Sequence, residues 1–337
     1  MVPEFFPGPQ NKVYPQKTGG LACDRVHSSK AFTPCPCPFT GICDQFFYNL
    51  YLSRRYCRKL HNEPGGGGVD RKAVEEFRAK TGLDEPVHIQ YINWMGRVLR
   101  GDLGESYMTG VGVSEAIFRC FKVTLKLAVV SMLVSLVIAL PLGIISALKK
   151  GTVIDDVCRL FALAGVSMPN FWQAYLLIIV FALTLKVLPS SGYGDGGITY
   201  LFLPAVTLGT GYAAVTMRLM RSSMIDVLQQ DYVRAARAKG VPEHMVIFRH
   251  ALKNSLIPVV TVAGLNFGYL LNGSVIVETI FSWPGIGNLI VSSILSKDYP
   301  MIQGCVLFIA VIFVLVNFAV DISYAYLNPR IRYENKN

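Results

Sequence analysis

Residues Val123 to Leu148 read VTLKLAVVSMLVSLVIALPLGIISAL, a run in which Lys126 is the only charged side chain. An α-helix crosses the hydrocarbon core of a bilayer with about 20 mostly apolar residues, so this run is long enough. It does not alternate between apolar and polar residues, which favours a helix over a barrel strand. Four later runs are similar: Leu160–Val187, Leu201–Leu219, Leu256–Val277 and Ile302–Leu327. The sequence therefore predicts an all-α membrane protein, a polytopic helical bundle with five recognisable spans.

Composition and charge support this class. The chain of 337 residues is 52% hydrophobic, with a mean hydropathy of +0.41, which is too apolar for an ordinary soluble domain. Its net charge of +10 would also suit a nucleic-acid surface, but residues 189–200 contain no Lys or Arg and residues 278–301 contain only Lys297. The basic residues concentrate in the alternate loops, a positive-inside pattern. Residues 149–156, residues 220–255 and the C-terminus are therefore expected in the cytoplasm, with lipid and not nucleic acid around the protein.

The N-terminal segment differs from the rest of the chain. It contains five of the eight cysteines and no apolar run of spanning length. CPCPFTGIC matches no zinc spacing, and an odd number of cysteines leaves one thiol outside a disulfide framework, so cysteines without a shared role are favoured. We hypothesise that a frameshift replaced an apolar first span here, which the encoding DNA tests. The predicted regions are this segment (1–62), an extracytoplasmic region (63–121), a transmembrane domain (122–330) with a cytoplasmic loop (220–255), and a cytoplasmic tail (331–337).

A charged stretch, DYVRAARAKG from Asp231 to Gly240, lies in the long cytoplasmic loop. Ala, Arg and Lys are strong helix formers, Gly240 supplies a C-terminal stop, and Pro242 suits the start of a second helix. Arg234 and Arg237 repel each other at this spacing, which an acidic or carbonyl-rich partner would relieve. Two interpretations stay open at this point. The helix either docks into a groove of a partner or is a solvated basic loop near anionic lipid headgroups.

Polar residues at membrane depth are costly in hydrocarbon and usually face a bundle interior or a wet path. The candidates for a translocation path are Asn170, Gln173, Asn266 and Asn272. The alternative role is to hold neighbouring helices together, and it is favoured for any single asparagine.

The stretch FSWPGIGNL (281–289) lies between the last two predicted spans, on the extracytoplasmic side. Pro284 and Gly285 are expected to break the helix, and Phe281 and Trp283 suit an anchor at the membrane interface. One interpretation is a simple turn in an aromatic belt. The other, slightly favoured, is a re-entrant element that closes the path or contacts a partner.

Rival functions find little support in the sequence. No HExxH occurs, and the five histidines fall outside the predicted spans, which argues against an intramembrane protease. An ion-coupled secondary transporter tends to place carboxylates within spans, whereas Glu278 and Asp321 lie at or near the span ends. The chain contains no GxxxxGK[ST], so it is not expected to bind ATP, and neither an enzyme nor a metal site is predicted.

Several motifs occur together in an order typical of one family. YVRAARAKG followed by RHALKNSLIPVV resembles the cytoplasmic signature loop of ABC-importer permeases of the dipeptide/oligopeptide/nickel branch. Ala235, Ala236 and Gly240 match its pattern, while Arg234 stands where Glu is common. Other stretches agree with that branch, among them GLDEPVHIQYINWMGRVLRGDLGESY, VSMPNFW, LPSSGYG, VETIFSWPGIGNL and DISYAYLNPRIRY. The resemblance covers residues 69–333, but the N-terminus lacks the first of the family's six spans and its Pro-Gly-Asp motif.

The resemblance implies a permease subunit of the cytoplasmic (inner) membrane that imports peptides, with nickel or another small solute as the alternative cargo. It implies a second, homologous permease, two cytoplasmic ATP-binding subunits and an extracytoplasmic solute-binding protein as partners, with ATP bound by the partners and no cofactor on this chain. The expected contact with the ATP-binding subunit comprises Tyr232, Val233, Arg234, Ala235, Ala236, Arg237, Ala238, Lys239 and Gly240. The expected extracytoplasmic gate or binding-protein contact comprises Gly101, Asp102, Gly104, Trp283, Pro284 and Gly285.

Overall fold

The structure is a computed structural model that describes residues 85–194 and 197–327. The predictions for residues 1–62 and for the tail 331–337 lie outside the described residues. Within the described part, regular structure is helical, and the only extended pairing is an isolated bridge between Glu105 and Gly112. The prediction of an all-α bundle is confirmed.

Eleven α-helices follow one another along the described part of the chain. They are α1 (Val87–Leu99), α2 (Val113–Leu148), α3 (Val153–Ser167), α4 (Asn170–Leu177), α5 (Ile198–Leu228), α6 (Asp231–Ala238), α7 (Glu243–Met245), α8 (Leu252–Gly273), α9 (Val275–Ile280), α10 (Ile286–Ser296) and α11 (Tyr299–Leu327). Two π-helical segments, Ile178–Thr184 and Val246–Ala251, extend α4 and join α7 to α8. The predicted domain boundary at 121/122 falls inside α2.

Within residues 85–194 and 197–327, four helical segments are long and apolar enough to cross a membrane, at α2, α5, α7–α8 and α11. The predicted span Leu160–Val187 is not one straight helix. It consists of α3 and the α4 segment, which meet at a bend of 104°. Pro169 lies at the break and has no backbone N–H to continue the helix, and it forces Met168 into an extended conformation. Five spans result if this bent pair counts as one.

The packing of α2 against α5 is the most extensive in the bundle. Two glycines allow the backbones to approach closely. A Cβ on Gly209 would lie 2.8 Å from the carbonyl oxygen of Ser131, and one on Gly143 would lie 2.8 Å from the Cβ of Met220. Small residues at such crossings are typical of membrane helices, which gain van der Waals contact from close approach.

Helices α8 and α11 form a second close pair. A Cβ on Gly264 would lie 2.8 Å from Val320, and one on Gly268 would lie 3.3 Å from the Oδ1 atom of Asn317. The bundle therefore holds α2, α5, α8 and α11 side by side. Helix α6 lies in the connection at one end of α8, and α9 and α10 follow its other end.

Candidate coupling surface and extracytoplasmic hairpin

The predicted cytoplasmic helix is present as α6. It begins after Gln230, and Gly240 follows its end with a φ of 75°, a conformation that glycine adopts without strain. The N–H of Gly240 donates to the carbonyl of Arg237 at 3.0 Å. Pro242 directly precedes α7. The predicted helix, glycine stop and second helix start are confirmed.

One side of α6 is buried and the other is exposed. Val233 and Ala236 pack against Val246 and the end of α5. The exposed residues of the stretch are Asp231, Tyr232, Arg234, Ala235, Arg237, Ala238, Lys239 and Gly240. Because exposed alanines carry almost no side-chain bulk, this face is slim enough to enter a groove. Its contact with an ATP-binding subunit stays a prediction.

The two arginines of α6 already have acidic partners within the chain. Arg237 donates two hydrogen bonds to Glu243, at 2.6 Å and 3.2 Å, and this pairing raises the pKa of Arg237. Arg234 lies 3.7 Å from the carboxylate of Asp231. These two pairs already offset part of the predicted repulsion between Arg234 and Arg237, and further relief by a partner stays a prediction. Sequence reasoning missed that the helix's own first residue and the next helix supply both carboxylates.

Helix α6 is attached to the base of α8. The side-chain amide of Asn254 donates to the hydroxyl of Tyr232 at 2.7 Å. Val246, at the start of the π-helical segment, packs under the buried side of α6. A push on α6 would therefore reach the cytoplasmic end of the α8 span directly.

A buried ion pair that sequence reasoning missed lies at the cytoplasmic ends of three helices. Asp155 of α3 accepts two hydrogen bonds of 2.7 Å from Arg221 of α5. Its carboxylate also accepts from the hydroxyl of Ser146 on α2 at 2.6 Å and from the N–H of Gly151 at 3.0 Å. The carboxylate is almost completely buried. This Asp155 cluster fastens α2, α3 and α5 to one another.

The polar residues predicted for a translocation path do not form one group. Gln173 donates to the hydroxyl of Thr210 at 2.5 Å, and the Oδ1 atom of Asn170 lies close to Gly211, so both pack α4 onto α5. The buried Nδ2 atom of Asn266 has no hydrogen-bond partner in the described part of the chain. The side chain of Asn272 lies outside the description. A role in the path stays a prediction for all four.

The GDLGESY loop folds against the turn between α10 and α11. Gly101 and Gly104 have φ angles of 79° and 87°, and the Asp102 carboxylate accepts the N–H of Gly104 at 2.9 Å. Further along, the hydroxyl of Ser106 donates to Asp298, whose other carboxylate oxygen accepts the N–H of Tyr107 at 3.2 Å. The structure thus brings this loop to the same end of the bundle as α10, as the charge pattern predicts.

Helices α9 and α10 with the turn 281–285 form a unit that we call the extracytoplasmic hairpin. The predicted helix break at Pro284 and Gly285 is confirmed. Phe281 and Trp283 are almost completely buried, so their predicted role as interfacial anchors is wrong. The indole N–H of Trp283 donates to the carbonyl of Val123 at 3.3 Å, and its ring lies edge-on to Tyr193 with centroids 4.8 Å apart. The role of Trp283, Pro284 and Gly285 as a gate or binding-protein contact stays a prediction.

The carboxylate of Glu278 is fully buried at the centre of the hairpin. One oxygen accepts from the hydroxyls of Thr124 and Ser274, both at 2.8 Å. The other accepts from the N–H groups of Gly287 at 2.8 Å and Asn288 at 3.3 Å, at the N-terminus of α10. Sequence reasoning placed Glu278 near a span end and missed this role. The only sequence signal was a carboxylate within an otherwise apolar stretch.

Among the residues that the structure describes, no cluster of three or more histidine, cysteine or acidic side chains could hold a metal ion. What the described helices do offer is several apolar spans with a short exposed helix at one end and a buried hairpin at the other. This architecture is that of a polytopic helical membrane protein.

The family comparison makes the assignment specific. The chain belongs to the family of binding-protein-dependent transport system inner membrane components, whose model matches residues 139–333. It is therefore a multi-pass transport subunit of the inner membrane, and the predicted family is confirmed.

Curated relatives extend over most of the chain. It is 41% identical over 320 residues to the di/tripeptide transport system permease protein DppB of Pseudomonas aeruginosa, covering 86% of this chain and 95% of that protein. It is 42% identical over 298 residues to the glutathione transport system permease protein GsiC of Escherichia coli O6:H1, covering 87% and 97%. The dipeptide transport system permease protein DppB of Escherichia coli K12 is 38% identical over 299 residues, covering 80% and 88%.

Solved structures agree on the fold. An inward-facing structure of the MetNI methionine ABC transporter aligns with a TM-score of 0.53 at 19% identity, covering 63% of this chain and 96% of that chain. At this level of identity the similarity supports the helical arrangement alone.

Proposed function

We propose that this chain is a transmembrane permease subunit of an ATP-driven importer for short peptides delivered by a solute-binding protein. The observation that carries the proposal is the 38–42% identity, over most of the chain, to permeases of dipeptide, di/tripeptide and glutathione systems. Di- and tripeptides and glutathione share a short peptide backbone with a free carboxylate, so the proposed cargo is this class of molecule.

In the proposed mechanism α6 is the coupling helix. An ATP-binding subunit receives its exposed face, and closure of two such subunits moves α6 together with the base of α8 through Tyr232, Asn254 and Val246. ATP drives this change because it binds the closed arrangement of the subunits more tightly. This chain contributes no ATPase site of its own to the proposed complex, and the remaining partners are a second permease and the solute-binding protein.

Uptake into proteoliposomes that contain the complete complex tests the proposal. We expect a radiolabelled dipeptide to accumulate only with ATP and the solute-binding protein, and to continue accumulating after proton and sodium gradients are collapsed. Uptake that ignores ATP and stops with the gradients would instead identify a secondary transporter. ATP-dependent uptake of a radiolabelled nickel chelate, without uptake of the dipeptide, would replace the peptide cargo with the metal complex.

A further inference from the structure

The buried carboxylate of Glu278 is surrounded by hydrogen-bond donors. Its four donors among the described residues are neutral: two hydroxyls and two backbone N–H groups. An ionised carboxylate can only accept hydrogen bonds, so every donor around it is matched. The two N–H groups belong to the first turn of α10, where the helix leaves them without intrahelical partners and where a negative charge is favourable.

Thr124 connects this carboxylate to α2. Its hydroxyl donates to Glu278 and accepts the N–H of Ile286 at 2.9 Å, so a single side chain of α2 bonds to both α9 and α10. The neighbouring carbonyl of Val123 accepts the indole N–H of Trp283. The hairpin is therefore joined to the outer part of α2 at three points, two of them buried.

Gly285 in the turn and Gly287 at the start of α10 let the backbone approach the Glu278 carboxylate closely. A Cβ on Gly285 would lie 2.4 Å from both the Glu278 carboxylate and the Thr124 hydroxyl. A Cβ on Gly287 would lie 2.5 Å from the backbone of Val275 and 2.9 Å from the carboxylate. Because both contacts are closer than real Cβ atoms allow, the backbone of the turn lies directly against the acid.

We propose that Glu278 is a positioning residue that makes the extracytoplasmic hairpin and the outer part of α2 a single rigid unit during transport. Opening on the extracytoplasmic side then carries the hairpin and α2 together, and the hairpin does not swing on α2 as a separate flap. The proposal concerns motion within this chain, so it holds or fails whichever solute the importer carries.

Distances between spin labels test the rigid unit in the complete, reconstituted complex with its native cysteines replaced. Lys122 on α2 and Ser282 in the turn are both exposed and suit cysteine labels. We expect the Lys122–Ser282 distance to stay within about 2 Å between nucleotide-free and ATP-trapped states, the size of a small helix shift. ATP hydrolysis by the labelled sample shows that the complex still cycles. A larger change in this distance would overturn the proposal.

Substitutions at Thr124 separate positioning from simple stability. Thr124→Val keeps the shape and removes the hydroxyl, whereas Thr124→Ser keeps the hydroxyl. We expect Thr124→Val to broaden the Lys122–Ser282 distance distribution and to lower the peptide transported per ATP hydrolysed about tenfold, the size of one charge-assisted hydrogen bond. Thr124→Ser should restore both readouts.

Glu278→Gln should have a larger effect on both readouts. One side of the new amide is an NH2 group, which cannot accept the hydrogen bonds that the carboxylate accepts. The matched control is Thr279→Ala, because Thr279 is exposed and its hydroxyl donates to the carbonyl of Val275 on its own helix and not to Glu278. If the Gln variant assembles and transports with an unchanged ratio of peptide to ATP, Glu278 has no positioning role. If it does not assemble, the paired Thr124 variants decide.

Discussion

The coupling helix α6 and the extracytoplasmic hairpin are held by opposite kinds of contact. The polar bonds of α6, from Arg237 to Glu243 and from Asn254 to Tyr232, are exposed to solvent. The bonds of the hairpin to Glu278 are almost all buried. Exposed pairs contribute little to stability because water competes for both partners, whereas a buried polar group without its partner costs its full desolvation.

The difference fits the two tasks proposed for these regions. A surface that must accept a separate subunit benefits from side chains that can exchange partners at small cost. A hairpin that is proposed to move with α2 as one unit must keep one position on it, and a buried carboxylate with matched donors allows only one. The Asp155 cluster, at the same end of the bundle as α6, also consists of buried and matched polar groups. Buried polar contacts therefore hold the helices together at both ends, whereas the exposed face of α6 can change partners.

The largest loss of stability is expected for Arg221→Ala. It removes both short hydrogen bonds from the guanidinium to the buried Asp155 carboxylate and leaves only the more exposed Arg159, 3.8 Å away, among the described cations near it. Breaking such a buried pair costs about 3 kcal/mol or more. We expect a clear drop in the apparent melting temperature of the detergent-solubilised protein. This temperature is measured by size-exclusion chromatography of samples heated to different temperatures. Arg218→Ala on the same helix removes an exposed arginine and is the control. If Arg221→Ala and Arg218→Ala melt at the same temperature, the Asp155 cluster does not stabilise the packing of α2, α3 and α5.

Gly285→Ala is expected to have the next largest effect. The new methyl group would overlap Glu278 and Thr124, and overpacking of this kind costs about 1–3 kcal/mol. The same melting assay measures it. Gly197→Ala, where a Cβ would meet nothing within 4 Å, is the matched control. If both variants melt alike, the hairpin is more adaptable than its contacts indicate, and the contrast with α6 is lost.

Arg237→Ala should change stability by less than about 1 kcal/mol, because its pair with Glu243 is exposed. The control is Lys239→Ala, and both variants are compared by their melting temperatures. Any difference between the two melting temperatures should become smaller in 1 M salt, where the screening length is about 3 Å. A loss of stability as large as that of Arg221→Ala would show that the Arg237–Glu243 pair stabilises the protein as much as the buried pair does. The proposed difference between the exposed contacts of α6 and the buried contacts would then be wrong.

Ala235→Trp should leave the free energy of unfolding unchanged within about 0.5 kcal/mol, since Ala235 is exposed. We nevertheless expect it to abolish co-purification of the ATP-binding subunit, because the indole would fill the groove that receives the slim face. Lys150→Trp in the other cytoplasmic loop controls for the added bulk. An intact complex with Ala235→Trp would argue against docking through α6.

Much of the fold could be predicted from hydropathy. The spans at α2, α5, α8 and α11 agree with the apolar runs to within about a helical turn at most ends. Two ends differ more: α2 begins ten residues earlier than predicted, at Val113, and α5 ends nine residues later than predicted, at Leu228. The bend between α3 and α4 was missed, although Pro169 carried a signal for it. A proline inside an apolar run is also compatible with a continuous kinked helix, and both α2 and α5 contain one.

The candidate sites were predictable only in part. The start and stop of α6 follow from local rules that operate over a few residues, so they were predicted correctly. The bond from Trp283 to Val123 and the bond from Thr124 to Glu278 join the hairpin to α2, which lies far away in the chain: Thr124 and Glu278 are 154 positions apart. The other donors to Glu278 lie within ten positions of it. No local pattern identifies such a partner.

The sequence by itself determined that this protein is a helical membrane protein and where α6 begins and ends, and it predicts which end of the bundle faces the cytoplasm. Each of these follows from sums of hydropathy, charge and backbone preference along short stretches. Only the tertiary structure decided which carboxylates are buried and what satisfies them, because the desolvation of Asp155 and Glu278 is offset by donors that other helices bring to them.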